Sequence, residues 1–322
     1  MNKLPLLLII LMSSFLFSCE SNDKTPEIEK INDDYKLLSV TSEGKIFEIG
    51  NNSGKTINIG QIKNSANLIM LPTICNVGSK IYAFEATYIP KPNILIIYDK
   101  LTGTTTTKQI VFPASLRETM YDPLISNLEY SGSELVAIVS ETNANEYQPN
   151  KIISINIENY QTTDLGISFS QSSLTSTELI NNKLYVSTRV DGLLEIDLIN
   201  KTIKELQANG SKVSATRLAK INNTKLGLMQ LGVPKVVNGV KPFEFSLSNN
   251  LLSDKSSNNI YALGNTTGGT ISYNNEYLDL VYRMADSKFG ILKINYENNS
   301  TKFVDLDRTI LGSNAIIVDV IK

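Results

Sequence analysis

Apolar residues along most of the chain come in short runs separated by turns rich in Asn, Gly, Ser and Lys, a pattern that predicts short strands rather than helices. Six segments repeat one order: an apolar run, a turn of Asn, Gly, Lys or Asp, then a more polar run. They are residues 45–59, 93–111, 151–167, 192–206, 241–255 and 290–306. The last apolar residue before each turn is Ile49, Tyr98, Ile157, Leu198, Leu247 or Tyr296, at spacings of 49, 59, 41, 49 and 49 residues. Upstream lie further apolar runs beginning at Leu37, Ile81, Leu135, Leu184, Leu226 and Leu278, and several are preceded by another, as from Leu124, Thr175 and Thr216. Each repeat therefore holds four short strands.

A period near 49 with four antiparallel strands suits a propeller blade and is too long for a coil of a parallel β-helix. Crossover helices have no candidates, since Ser115-Leu-Arg-Glu-Thr-Met120 is the one helical-looking fragment. The runs Ile94–Tyr98 and Ile152–Ile157 are near-continuously apolar, as expected for strands that lose water on both faces between stacked sheets. The first unit lacks its innermost strand, and a lone run from Asn314 to the chain end is left over after the sixth. The expected fold is all-β: a six-bladed β-propeller of four-stranded antiparallel blades, closed by the C-terminal strand joining the first blade. The extra loop after Glu141 accounts for the long second spacing.

The N-terminus has a different character. Lys3 precedes an apolar stretch from Leu4 to Met12 that is too short to span a bilayer and has the length of a signal-peptide core. It ends in Leu16-Phe17-Ser18-Cys19, which resembles the lipobox of bacterial lipoproteins: an aliphatic residue, one intervening residue, a small residue and cysteine. The resemblance implies cleavage after residue 18, palmitate-type acylation of Cys19 and attachment to a membrane through that lipid. Several acyl chains on one residue make a stable anchor, where one is marginal. Residues 20–34 carry six acids against two lysines and little apolar surface, so they are expected to be a flexible tether. Residues 35–322 are read as a single propeller domain. Glu20 in place of aspartate favours the outer membrane and leaves the face of that membrane open.

Composition then narrows the chemistry. The net charge of −2 gives no basic footprint for nucleic acid. The absence of histidine removes Ser-His-Asp and Cys-His catalysis and histidine-containing zinc sites. No cofactor or metal motif is present, and the absence of tryptophan leaves out indole sugar platforms. Cys75, between apolar neighbours, reads as a small buried hydrophobe. Asp99 and Asp197 stand at strand–turn junctions, where aspartate caps turns.

Tyr185-Val-Ser-Thr-Arg-Val-Asp-Gly-Leu-Leu-Glu-Ile-Asp-Leu-Ile-Asn-Lys-Thr202 resembles YVTN-type and TolB-like propeller repeats. With the lipobox, the whole resembles uncharacterised six-bladed propeller lipoproteins of Bacteroidota. Such proteins suggest a fold and an anchor but no activity. In a propeller, the ends of equivalent strands gather at one mouth. Those ends are Glu43, Glu85, Glu141, Arg189, Gln230 and Arg283, and the loops after them add Tyr88, Lys91, Tyr147, Asp191, Lys235 and Asp286. Loops on a rigid scaffold commonly carry binding sites. The candidate ligand set is Arg189, Arg283, Asp191, Asp286, Glu85, Glu141, Tyr88 and Tyr147, with the two arginines foremost. The sequence favours a non-enzymatic binding or scaffold lipoprotein for a glycan, peptide or protein. The alternative is a polysaccharide hydrolase or lyase using carboxylates with Tyr or Arg.

Overall fold

Strands dominate the computed structural model, which describes residues 30–62, 68–86, 93–142, 148–170, 173–231, 239–256, 260–263, 270–311 and 314–322. The expectations for residues 1–29, including Cys19, and for Tyr88, Lys91, Tyr147 and Lys235 lie outside the described residues.

The chain begins with β1 (Lys36–Thr41), β2 (Lys45–Gly50) and β3 (Thr56–Gln61), an antiparallel meander. Three four-stranded antiparallel sheets follow. The first comprises β4 (Cys75–Val77), β5 (Lys80–Phe84), β6 (Asn93–Asp99) and β7 (Thr104–Ile110). The next is β8 (Pro123–Tyr130), β9 (Glu134–Glu141), β10 (Asn150–Asn156) and β11 (Thr162–Phe169). The last is β12 (Leu174–Ile180), β13 (Lys183–Thr188), β14 (Gly192–Asp197) and β15 (Thr202–Glu205). A small hairpin, β16 (Gln207–Ala208) and β17 (Ser211–Lys212), leads onward.

The remaining strands are β18 (Arg217–Asn222), β19 (Lys225–Leu231), β20 (Gly239–Ser246), β21 (Leu251–Asp254), β22 (Tyr261–Leu263), β23 (Ile271–Tyr273), β24 (Glu276–Arg283), β25 (Lys288–Asn295) and β26 (Thr301–Asp305). Tyr261 pairs with Val240 on one side and Arg283 on the other, so β22 joins β18–β26 into one nine-stranded sheet. The chain ends in β27 (Ala315–Ile321), which pairs antiparallel with β1 from Ala315 opposite Thr41 to Ile321 opposite Lys36. The first sheet thus gains its fourth strand, and the expected closure by the C-terminus is present.

The blade count is corrected. Four discrete four-stranded blades form instead of six, and the resemblance to six-bladed lipoproteins is corrected with it. The physical reason is β22: backbone N–H and C=O groups at the ends of β20 and β24 are satisfied by pairing with it, and the pairing erases the boundary between two repeats.

The core lies between sheets. Leu95 and Ile97 of β6 pack with Leu135, Ala137 and Ile153 of the next blade, while Ile96 and Tyr98, on the opposite face, pack with Leu38, Val40 and Ile46. Each of these buried aliphatics contributes roughly 1.5–3 kcal/mol. Leu278, Leu280 and Ile291 of the large sheet pack against Leu37, Phe47 and Ile49 of the first blade, so the packing runs full circle. The outermost β7, Thr-Thr-Thr-Thr-Lys-Gln-Ile, is mostly exposed.

Every repeat turns between its last two strands through one left-handed residue: Gly54, Gly103, Tyr160, Lys201, Asn250 or Asn299, with φ of 68, 66, 61, 56, 55 and 57°. Polar side chains close these turns as expected. Asp99 Oδ1 accepts the Leu101 N–H at 2.8 Å, and Asp197 Oδ1 accepts those of Ile199 and Asn200 at 3.0 and 2.8 Å. Among the described residues no helix is long and apolar enough to cross a membrane.

Candidate functional site: a polar cavity inside the inner strands

The inner strands converge on the interior. β27, β4, β8, β12, β18 and β23 contribute Val318, Cys75, Glu129, Glu178, Leu218 and Ile271 to the wall of one cavity of about 340 Å³. These converging strands share no ladder with one another there, and side chains stitch them instead. Asn76 Nδ2 donates to Asp319 Oδ2 at 2.6 Å, and Asn127 Nδ2 reaches Thr177 Oγ1 at 3.5 Å. Ser176 Oγ accepts the Leu218 N–H at 3.0 Å, and the Thr270 and Ser272 hydroxyls donate to the carbonyls of Leu218 and Lys220.

Two carboxyl groups stand in this wall. The Thr177 hydroxyl donates to Glu129 Oε1 at 2.6 Å, and the Lys220 backbone N–H hydrogen-bonds the carboxyl of Glu178. Burial pushes Glu129 up to about 7, against the pull of the Thr177 hydroxyl. Burial and then the neighbouring Glu129 raise Glu178 well above the usual carboxylate range, while Lys220 opposes them. Near neutral pH the pair therefore holds a proton and titrates as a unit. Burial, followed by these two carboxylates, also raises the Cys75 thiol, so it stays protonated and a poor nucleophile. A cavity with acid, carboxylate, amide and hydroxyl groups both donates and accepts hydrogen bonds. Among the described residues no cluster of three or more His, Cys, Asp or Glu could hold a metal ion.

The rim residues have other partners. Arg283 grips Asp286 with two hydrogen bonds, Nε to Oδ1 at 3.0 Å and Nη2 to Oδ2 at 2.6 Å, and stacks on Phe303 at 4.5 Å. Glu141 accepts the backbone N–H groups of Tyr121 and Asp122 at 2.7 and 2.9 Å, which holds the loop before β8. Glu85 is half-buried and bridges to Ile69 through the backbone. Arg189 is exposed, and nearby Asp191 keeps a buried Oδ2 with no hydrogen-bond partner. The structure thus brings Arg283 and Asp286 together as a surface pair. Glu129 and Glu178 were missed by sequence reasoning. Their signal was an acid inside a strand, in Leu128-Glu129-Tyr130 and Thr177-Glu178-Leu179, where surface strand acids look the same.

No family model matches the chain, and no curated protein matches it significantly. Among solved structures it is similar to TolB from Acinetobacter baumannii, with 10% identity and a TM-score of 0.46. That similarity covers 89% of this chain and 65% of the other, so the chain spans somewhat less than two thirds of that protein. The propeller-like description rests on the strand pairing above, which defines a β scaffold stacked around a polar interior.

Proposed function

We propose that the chain is an envelope lipoprotein, anchored through Cys19, whose propeller-like body is a non-enzymatic binding module for a polar ligand such as a glycan or peptide. The observation that carries this reading is the interior cavity, whose walls come from strand backbones fixed by the core. Rigid strands hold donors and acceptors at set positions, and pre-organisation of that kind lowers the cost of binding. The ligand meets Glu129, Thr177 and Glu178 inside the cavity. A glycan and peptide array probed with the whole protein and with the E129Q/E178Q variant tests it: binding lost in the variant supports the reading, and equal binding overturns it. Anchoring is tested separately, since Cys19→Ser should abolish palmitate incorporation.

A second reading has one specific observation behind it, the two carboxyls with raised pKa in a deep cavity. Such a pair can act as general acid and base on a glycosidic bond. Reducing ends released from an array-positive glycan, and not by E129Q/E178Q, would establish it.

A further inference from the structure

Glu129 lies on β8 of the third blade and Glu178 on β12 of the fourth, with Lys220 beyond on β18, so the carboxyl pair sits where three sheets meet. Every neighbouring element can be named. β4 brings Cys75; β8 brings Tyr130, whose hydroxyl already donates to the Gly132 carbonyl at 2.6 Å; β12 brings Thr177. β18 brings Lys220, while Thr270 just before β23, Ile271 on β23, and Ile316, Ile317 and Val318 on β27 carry no charge. The Lys220 charge acts on Glu178, and Glu129 has the Thr177 hydroxyl as its partner. The seam between β8 and β12 is crossed near them by the Asn127–Thr177–Glu129 hydrogen-bond chain, with no shared ladder.

We propose that Glu129 and Glu178 form a proton-operated lock on this seam, closed while the pair holds a proton and loosened when both are ionised. With one proton held, the pair carries a single negative charge. When that proton leaves to cavity water, two neighbouring carboxylates repel each other beside a seam held by few hydrogen bonds. The inference deepens the binding reading, because opening the seam widens the cavity wall.

The direction of the effect on stability follows from linkage. Burial raises Glu129 to about 7 from an ordinary 4.5, and Glu178 is raised as well. The folded state thus binds the proton more tightly than the unfolded chain does. Its stabilising contribution is full below about pH 4.5 and is lost as the pH rises through the folded values. The chain contains no histidine to mask that window. Among the described residues, Asp279, raised by burial to about 6, is the other carboxyl that reaches it.

The test is thermal unfolding of the whole protein and of E129Q, E178Q and E129Q/E178Q between pH 5 and pH 8. The melting temperature of the parent is expected to fall by about 2–5 °C over that range, and amide exchange in β8 and β12 to quicken. The double variant is expected to lose most of that fall. A parent curve that is flat or rises with pH, or a double variant that keeps the parent's slope, overturns the proposal. Should a variant fail to fold, carboxyl carbon-13 titration of the parent decides. Two glutamate signals titrating above pH 6 support the lock, and ordinary values for all of them overturn it. Ligand binding unchanged in E129Q/E178Q, together with the expected pH response, would refute the binding reading and leave the lock standing.

Discussion

The four discrete blades and the nine-stranded sheet are built from the same hairpin but bury different things. In the second and third blades the interior strands are close to wholly aliphatic, as in Leu95–Ile97 and Leu135–Val139. The large sheet buries Arg217, Asp279, Tyr277, Glu244 and Lys293. Arg217 on β18 contacts Asp279 on β24 and donates to the Leu280 carbonyl at 3.3 Å, and the Tyr277 hydroxyl completes the group at 3.1 Å from Asp279. These contacts tie the two halves of the sheet that β22 joins by backbone. Where mainly apolar surface holds sheets face to face, the blades stay separate. In the fused region a buried charge pair and a shared strand fix how the halves meet.

The largest effect is expected from removing the closure. Deleting Ala315–Ile321 strips the buried innermost strand from the first blade and exposes the edge of β1. The variant should lose cooperative unfolding, seen by near-ultraviolet circular dichroism during chemical denaturation. A transition like the parent's would mean that the discrete blades do not depend on the circuit.

Next comes the charge pair. Arg217→Met or Asp279→Asn leaves one buried partner uncompensated and should cost roughly 3–5 kcal/mol. The joint change R217M/D279L should cost much less than the two singles together, because neither charge remains. Additive losses measured by denaturant titration would dissolve the contrast between the two regions.

A smaller gain tests the hairpin both regions share. Lys201 is exposed and holds the left-handed turn position that Asn or Gly occupies in most repeats. Lys201→Asn should raise stability by about 0.5–1 kcal/mol, since asparagine tolerates that backbone better. The smallest effect is expected at the rim. The Arg283–Asp286 pair is on the surface, and Arg283→Ala should change stability by about 0–1 kcal/mol. A loss above 2 kcal/mol would show that the Phe303 stacking matters more than the ion pair.

How much was legible in the sequence follows the range of each interaction. The six hairpins, the turn-capping Asp99 and Asp197 and the C-terminal closing strand are local patterns or matters of counting, and they were readable. β22 was not, because Tyr261-Ala-Leu263 is only three residues long, too short to carry a strand period, and its two partners are set by backbone geometry. The Arg217–Asp279 pair spans 62 residues and leaves no local trace. Glu129 and Glu178 escaped for a related reason: a strand acid pointing to solvent and one pointing to an interior cavity have the same neighbours in sequence. The rim set could be chosen from equivalent strand ends, but which side chains are already engaged, as Arg283 and Glu141 are, depends on loops that repeat patterns do not describe.

The central claim is that the interior cavity, and not the outer rim, does the binding. The most direct measurement is the dissociation constant of an array-identified ligand for the whole protein, for E129Q/E178Q and for R283A, by calorimetry at pH 7. The cavity variant should bind at least about tenfold more weakly, a difference of roughly 1.4 kcal/mol, while R283A should bind as the parent does. Unchanged affinity in E129Q/E178Q together with a loss in R283A would contradict the account and move the site to the rim.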